Sequence, residues 1–393
     1  MELSQSLTDD EFAHEVRAWL SENLTGEFAA LRGLGGPGRE HEAFEQRLAW
    51  DRHLAAAGWT GLGWPVEYGG RAATMAQQVI FHQEYAKANA PARVSHVGEE
   101  LLAPTLLAFG TDEQKRRFLH GVKTVSELWC QGYSEPGAGS DLAAVSTAAT
   151  RDGDEWVLNG GKYFISGVDE ASHVLIVARH TDAEGNRGLP SVFIVPTDSA
   201  GFTFHPIEMD IVSPEKQFTL FFDDVRLPAD AIVGDPNAGL TQLFAGLNPE
   251  RIMAASFATG LARYALNKAT DYARTRNVWS APIGAHQGIA HPLAHCAIQL
   301  ELARVMTQKA AALYTAGEQG AGEAANMAKY AAADACCAVV DQAIQTHGGN
   351  GLASEYGLGS LLGASRVMRI APVSREMILN YVAGHTLGLP RSY

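Results

Sequence analysis

The spacing of apolar residues changes twice along this chain, and that change constrains the fold more than any other feature. Up to about Glu127 the spacing is helical. "DDEFAHEVRAWLSENL" puts Phe12, Val16, Leu20 and Leu24 on one face, the three-to-four-residue period of an amphipathic helix. From residue 128 to 236 the period shortens to that of strands, and beyond it a helical, alanine-rich pattern returns. Strand and helix signals are not interleaved, which excludes a Rossmann sheet or a (β/α)₈ barrel.

Each region divides further. "AFEQRLAWDRHLAAAG" predicts a second helix stopping at Gly58, a C-cap residue. "AQQVIFHQEYAKANA" is a third, and "TDEQKRRFL" a fourth with Thr111 as its N-cap. In the middle region, "EWVLNGGKYFISG" reads as a hairpin turning at Asn159, Gly160 and Gly161. "HVLIVARH", "PSVFIVPT", "GFTFHPI" and "QFTLFFDDV" follow as strands of a meander or barrel. The last region holds one or two long helices over "LFAGLNPERIMAASFATGLARYALNKATDYARTR" and two more beyond, with small-residue faces that pack closely. The expected fold class is α+β, mainly α. It has an N-terminal helical domain (1–127), a central β-barrel-like domain (128–236) and a C-terminal four-helix bundle (237–393).

Bulk properties exclude several classes of function. The net charge is -14 with no basic run, so nucleic acid and anionic membrane are poor partners. No stretch of about 18 apolar residues is present to span a bilayer. The acidic N-terminus lacks the pattern of a signal peptide. The 4 cysteines are too few for a disulfide framework in 393 residues. These features predict a cytoplasmic protein.

Most isolated motifs carry a plain structural account. "GLGGPG" at 33–38 matches a dinucleotide fingerprint in letters, but it follows a helix and contains Pro37, so it reads as a loop. His291 and His295 have metal-ligand spacing, yet Pro292 lies between them and no HExxH glutamate is present; no metal site is expected. "QGYSEPGAGSDLAAV" is a glycine-rich turn with hydroxyls at Ser134 and Ser140. Such a turn holds an anion or a polar heterocycle, or is merely a loop. "KYFISG" puts Phe164 and Ser166 on one strand face if side chains alternate. "THGGNGLASEYG" reads as a helix C-cap.

Taken in order, "YSEPGAGSD", "NGGKYFISG", "DDVRLPADAIVG", "ARTRNVWSAPIGAHQGIA" and "QTHGGNGLASEYG" resemble the acyl-CoA dehydrogenase family of flavoproteins over essentially the whole chain. The resemblance implies FAD, an acyl-CoA substrate, an electron-transfer flavoprotein as electron acceptor, and a homo-oligomer built as a dimer of dimers. It implies that Gln131, Tyr133, Ser134, Phe164 and Ser166 meet the flavin ring, with Gly139 and Ser140 near the cofactor and the coenzyme A chain. The adenine half of FAD falls to a neighbouring subunit's Arg276, Trp279 and Gln287, with Gln345, Gly348 and Gly349 beside them.

The sequence departs from the family where many members carry the catalytic base. Their glutamate, in a "YEGT" segment, aligns with Pro372 of "RIAPVS". Proline brings neither a carboxylate nor a backbone N–H to help hold the thioester oxygen. Ser374 keeps a hydroxyl where those members have threonine. A minority of members place the base on a bundle helix in an "ERxxxA" context, which "NPERIMAA" matches. Glu250 then takes the base position, Arg251 lies close to substrate, and Asn248 replaces an aspartate that contacts coenzyme A. A simpler account also covers these residues: Asn248 as N-cap, Pro249 first in the helix and Glu250 in its first turn. There the helix dipole would lower the carboxyl's proton affinity, opposing a base. Two alternatives stay open: another flavin reaction, such as an oxidase or monooxygenase, and a flavin-poor subunit of a mixed oligomer.

Overall fold

The computed structural model describes residues 7–35, 41–181, 187–209, 216–236 and 240–390. The N-terminal helices are α1 (Leu7–Asn23), α2 (Phe44–Ala56), α3 (Met75–Lys87), α4 (Ala103–Phe109) and α5 (Asp112–Lys123). Phe12, Val16, Leu20 and Leu24 are all buried, against Trp50, Leu54, Trp59 and Phe81. Each such side chain contributes about 1.5–3 kcal/mol on leaving water. Thr111 caps α5 reciprocally with Gln114, and Gly58 follows α2 with φ 79°. One helical segment carried no legible signal. A π-helical turn, Gly98–Leu102, leads straight into α4. Of the "GLGGPG" motif, Gly33 and Gly35 have positive φ in a loop, and 36–38 lie outside the described residues.

The central strands are β1 (Trp129–Gly132), β2 (Ala148–Asp152), β3 (Glu155–Ser166), β4 (His173–Thr181), β5 (Arg187–Pro196), β6 (Phe202–Ile207), β7 (Gln217–Pro228) and β8 (Ile232–Val233). They form one mixed sheet in the order β6-β7-β3-β2-β4-β5-β8, with β1 also on β4. It is not a simple meander, because β1 and β2 both run parallel to β4. One cluster joins Phe193 and Val195 of β5 to Phe202 of β6 and Leu220 of β7. Strands from both ends of the path share it, so the sheet folds over on itself like a barrel. The opposite face of β4, at Leu175 and Val177, packs on Leu102, Leu106 and Leu119 of the N-terminal helices. Burial on both faces explains the unbroken apolar run in β4.

Asn159 and Gly160 do not turn the chain. β3 is one continuous strand, and the hairpin turns instead between Asp152 and Glu155, where Gly153 has φ 58°. Gly160 (φ 135°) serves a break in register against β7 and close approach to the residue before β2: a Cβ there would lie 2.7 Å from the Thr147 Cα.

The C-terminal unit is built on α6 (Leu240–Thr275), α7 (Gln287–Thr315) and α8 (Ala321–His347). The fourth place is shared by α9 (Leu361–Ile370) and α10 (Arg375–Tyr381), both packed on α8. Small residues permit the close contacts. At Gly260 of α6 a Cβ would come within 2.8 Å of the Ala86 Cβ on α3. The expected helix start at Asn248 is not found: α6 begins at Leu240, and Pro249 lies inside it.

Candidate active site

Strand β1 delivers Gln131 and then Tyr133 to a junction between the sheet, the N-terminal helices and α6. The Gln131 and Tyr133 side chains are hydrogen-bonded, and Tyr133 lies close enough to feel the charge of Glu250. Burial and that charge raise the Tyr133 phenol well above its ordinary proton affinity, so it stays neutral.

The turn after Tyr133 is clamped from behind. Glu135 and Ala138 exchange backbone hydrogen bonds at 3.0 Å. The Glu135 carboxylate accepts from the Ser146 N–H (2.7 Å), the Ser146 hydroxyl (2.6 Å) and the Thr147 N–H (3.0 Å). The fourth donor is the fully buried Lys162 ammonium at 2.7 Å, which also donates to the Tyr133 carbonyl at 3.2 Å. The Tyr163 N–H donates to the Ser134 carbonyl at 2.9 Å. The turn and β3 are thereby locked together. Burial favours the neutral Glu135 carboxyl, but these donors outweigh it and bring it down to about 2. Burial brings Lys162 down to about 8 against the pull of Glu135, which leaves it charged at neutral pH.

The same clamp presents Phe164. A register shift between Lys162 and Ile165 breaks the alternation of side chains. Phe164 takes φ 59° and stands 51% exposed, with its ring 4.3 Å from that of Tyr163. Ser166 accepts a hydrogen bond from the Gln217 amide at 2.9 Å. Gly139 and Ser140 are exposed, and open space surrounds Gly139.

Glu250 approaches from α6. It is partly buried, and burial is the main reason its carboxyl is pushed up to about 7; nearby Glu100 adds to the shift, while Arg251 and Lys329 oppose it. The helix dipole is not a strong opponent, because Glu250 sits ten residues beyond the first residue of α6. Arg251 is spent on structure. It donates to the Leu247 carbonyl (2.9 Å), the Asn326 side chain and the Asn248 side chain (2.7 Å). Asn248 is therefore an anchor for Arg251 rather than a helix cap. Across from Glu250, the 371–374 loop is held by Lys329 of α8, whose ammonium donates to the Val373 carbonyl. Burial brings Lys329 down to about 8. Ser374 caps α10, accepting from the Met377 N–H at 3.3 Å.

Arg276, Trp279, Gln287, Gln345, Gly348 and Gly349 gather elsewhere, where the C-terminal ends of α6 and α8 meet the start of α7. Tyr272 of α6 stacks on His347 of α8 at 4.2 Å, and the Ile283 N–H donates to the Arg276 carbonyl at 2.8 Å. All six residues are exposed, Trp279 by 90%. Arg276 follows Glu250 by 26 residues, about 39 Å at 1.5 Å per residue.

Several residues of this site escaped the sequence reading. Glu135 and Lys162 stood inside quoted motifs as charges among apolar neighbours. Lys329 is a lone lysine in the alanine-rich "ANMAKYAAADA". Glu100 carried no signal at all. Among the described residues no group of three metal-ligating side chains is found, and no helix is long and apolar enough to cross a membrane.

Comparison with known proteins gives these residues a context. Family models of the acyl-CoA dehydrogenase N-terminal, middle and C-terminal domains match residues 7–125, 130–225 and 237–387. The chain belongs to the acyl-CoA dehydrogenase family. It is 52% identical to acyl-CoA dehydrogenase FadE12 of Mycobacterium tuberculosis over 356 residues, 90% of this chain and 91% of that one. It is 35% identical to the human mitochondrial short-chain specific acyl-CoA dehydrogenase, covering 87% and 82% of the two chains. Among solved structures, the Tcur3481-Tcur3483 steroid ACAD superimposes with a TM-score of 0.87 at 28% identity over the full length of both chains.

This enzyme is thus an FAD-dependent acyl-CoA dehydrogenase. The residues present fit a flavin: an exposed aromatic ring is held out by a left-handed backbone, beside a hydroxyl and a half-buried glutamine–tyrosine pair.

Proposed function

We propose that this enzyme removes hydrogen across the α and β carbons of an acyl-CoA thioester, with Glu250 as the base, and gives a trans-2-enoyl-CoA. One observation carries the reading. The carboxyl beside the Gln131–Tyr133 pair is pushed to about 7, while the 371–374 loop offers proline where another carboxylate was due. A base works best with a proton affinity near the working pH. Glu250 takes the α-proton, and burial makes its neutral form the comfortable product of that transfer. Bound FAD supplies the two-electron acceptor for the β-hydrogen. Tyr133, Gln131, Ser134, Phe164 and Ser166 form the wall against which the ring lies, and Gly139 and Ser140 the open shelf beside it. Arg251 fixes the floor by tying Asn248 to Asn326 across two helices. Asn248 thus meets coenzyme A with its only side-chain oxygen already engaged.

The roughly 39 Å of helix between Glu250 and Arg276 supports a site shared between subunits. One chain grips the flavin end, and a neighbour's Arg276, Trp279, Gln287, Gln345, Gly348 and Gly349 grip the adenine end. Exposed Trp279 and Leu352 on that bundle end suit burial in such an interface. The oligomer is then a dimer of dimers, and an electron-transfer flavoprotein drains the electrons.

Anaerobic mixing with a panel of acyl-CoAs tests the reading. The flavin should bleach with at least one of them, and Glu250→Gln should slow that bleaching about 10²–10⁴-fold while FAD stays bound. Bleaching by Glu250→Gln as fast as by wild type would remove Glu250 from the chemistry. Rapid oxygen consumption with a substrate that is no acyl-CoA would favour an oxidase.

A further inference from the structure

From Glu250 onward, one row of residues on α6 reaches the surface. Glu250, Ala254, Phe257 and Leu261 are partly or fully exposed, whereas 251–253, 255, 256 and 258–260 are buried. The row follows the helical period, so it is a single stripe leading away from the base. Its first member after Glu250 is only alanine, which leaves room. Its next is Phe257, 42% exposed and two turns on, about 10 Å along the axis.

The stripe does not end on apolar surface. The Phe257 ring lies 5.2 Å from that of His82 on α3. The His82 Nε2 is 3.1 Å from a Glu100 carboxylate oxygen, and both side chains are largely buried. Glu100 stands on the π-helical turn Gly98–Leu102, a local irregularity of the kind that accompanies functional sites. That turn packs against α6. Glu100 is close enough to add its charge to the field at Glu250, and His96 and Arg93 add theirs to the field at Glu100. One wall of the stripe is therefore a polar imidazole–carboxylate pair rather than hydrocarbon.

An acyl chain laid along this row would strip the remaining water from the edge of the Glu100 carboxylate that His82 does not cover. A methyl end returns no hydrogen bond for the water lost, and burying unmatched polar groups is costly. The His82 Nε2 already faces one Glu100 oxygen, but a carboxylate has acceptor sites beyond that one, and a hydroxyl can donate to them. We propose that this row is the acyl channel, that His82 and Glu100 are its specificity-determining residues, and that the preferred acyl group carries a hydroxyl about two helical turns from the reacting carbons.

The proposal rests on the acyl-CoA reading above, and its test separates the two. FAD-loaded wild type is mixed anaerobically with hexanoyl-, octanoyl- and decanoyl-CoA and with their ω-hydroxy counterparts. Dissociation constants for the same six compounds are measured on Glu250→Gln from the shift of the flavin absorption. At one length at least, the ω-hydroxy compound should bind and bleach at least about tenfold better than its parent. Adding Glu100→Leu should bring the two dissociation constants within about twofold. His82→Leu does the same from the other partner, and carries the test if Glu100→Leu does not fold. Equal behaviour of parent and hydroxy compounds at every length would overturn the proposal while leaving the acyl-CoA reading intact. So would a hydroxyl preference that survives in both variants. No bleaching by any of the six, with other acyl-CoAs equally inert, would sink the acyl-CoA reading and this proposal with it.

Discussion

Two glutamates flank the flavin motifs, and the structure treats them in opposite ways. Glu135 and Glu250 both lose water to the surrounding protein, and in each case burial alone favours the neutral acid. Glu135 then receives two backbone N–H groups, a hydroxyl and a buried ammonium. It ends near 2, a permanent anion. Glu250 has cations within reach, but Arg251 is committed to Leu247, Asn326 and Asn248, and Lys329 is turned to the Val373 carbonyl. It ends near 7. The lesson is that burial alone does not make a base. What matters is whether the donors around a buried carboxylate are aimed at it or pledged elsewhere.

The first way to break the comparison is to orphan one partner of the clamp. Lys162→Met leaves a buried anion at Glu135, and Glu135→Ala leaves a buried cation. Either should cost about 3–5 kcal/mol and release FAD, as read by denaturant unfolding and retained flavin absorption. The double variant Glu135→Leu with Lys162→Met should cost less than either single change. A double variant as unstable as the sum of the two would show that the charges do not act as a pair.

A smaller effect, opposite in sign, is expected at Glu250. Its raised proton affinity means that the folded state holds the proton more tightly than the unfolded chain. Stability from this group is full below about 4.5 and is lost as pH rises through about 7. Glu250→Gln should therefore be more stable than wild type at pH 8, by about 2–3 kcal/mol, and equal to it at low pH. Glu135 runs the other way. Its contribution is full above about 4.5 and is lost as pH falls toward about 2. Unfolding curves of FAD-free protein across this range would show both slopes. A Glu250→Gln variant that tracks wild type at every pH would mean that the carboxyl is solvated.

Much of the architecture was legible because local signals and tertiary demands agree. The α1 stripe, the Thr111 cap and the apolar β4 each have one physical meaning. Misreadings fell where one local signal serves two structures. Asn-Gly-Gly supplies positive φ for a hairpin turn, but Gly160 uses its freedom for a strand break and a close backbone approach. Asn-Pro-Glu fits a helix start, yet Pro249 is tolerated inside α6. For the site, Tyr133 lies within reach of the Glu250 charge and the turn after it is locked to β3, whereas Arg276, Gln287 and Gln345 lie at the other end of α6. Their neighbours were hidden for a different reason. Glu135 meets Lys162 from 27 positions away, and Glu100 meets His82 across two helices. Such pairings belong to tertiary structure, and no local pattern encodes them.

The central claim is that Glu250 is a base poised near neutrality by partial burial among donors committed elsewhere. The pH dependence of anaerobic flavin bleaching by one acyl-CoA, at saturating substrate, tests it most directly. The rate should climb about tenfold per pH unit below about 7 and level off above it. Glu250→Gln should be slow and flat over the same range. A wild-type profile that is flat from pH 5 to 9, or a Glu250→Gln profile with the same inflection, would contradict the account.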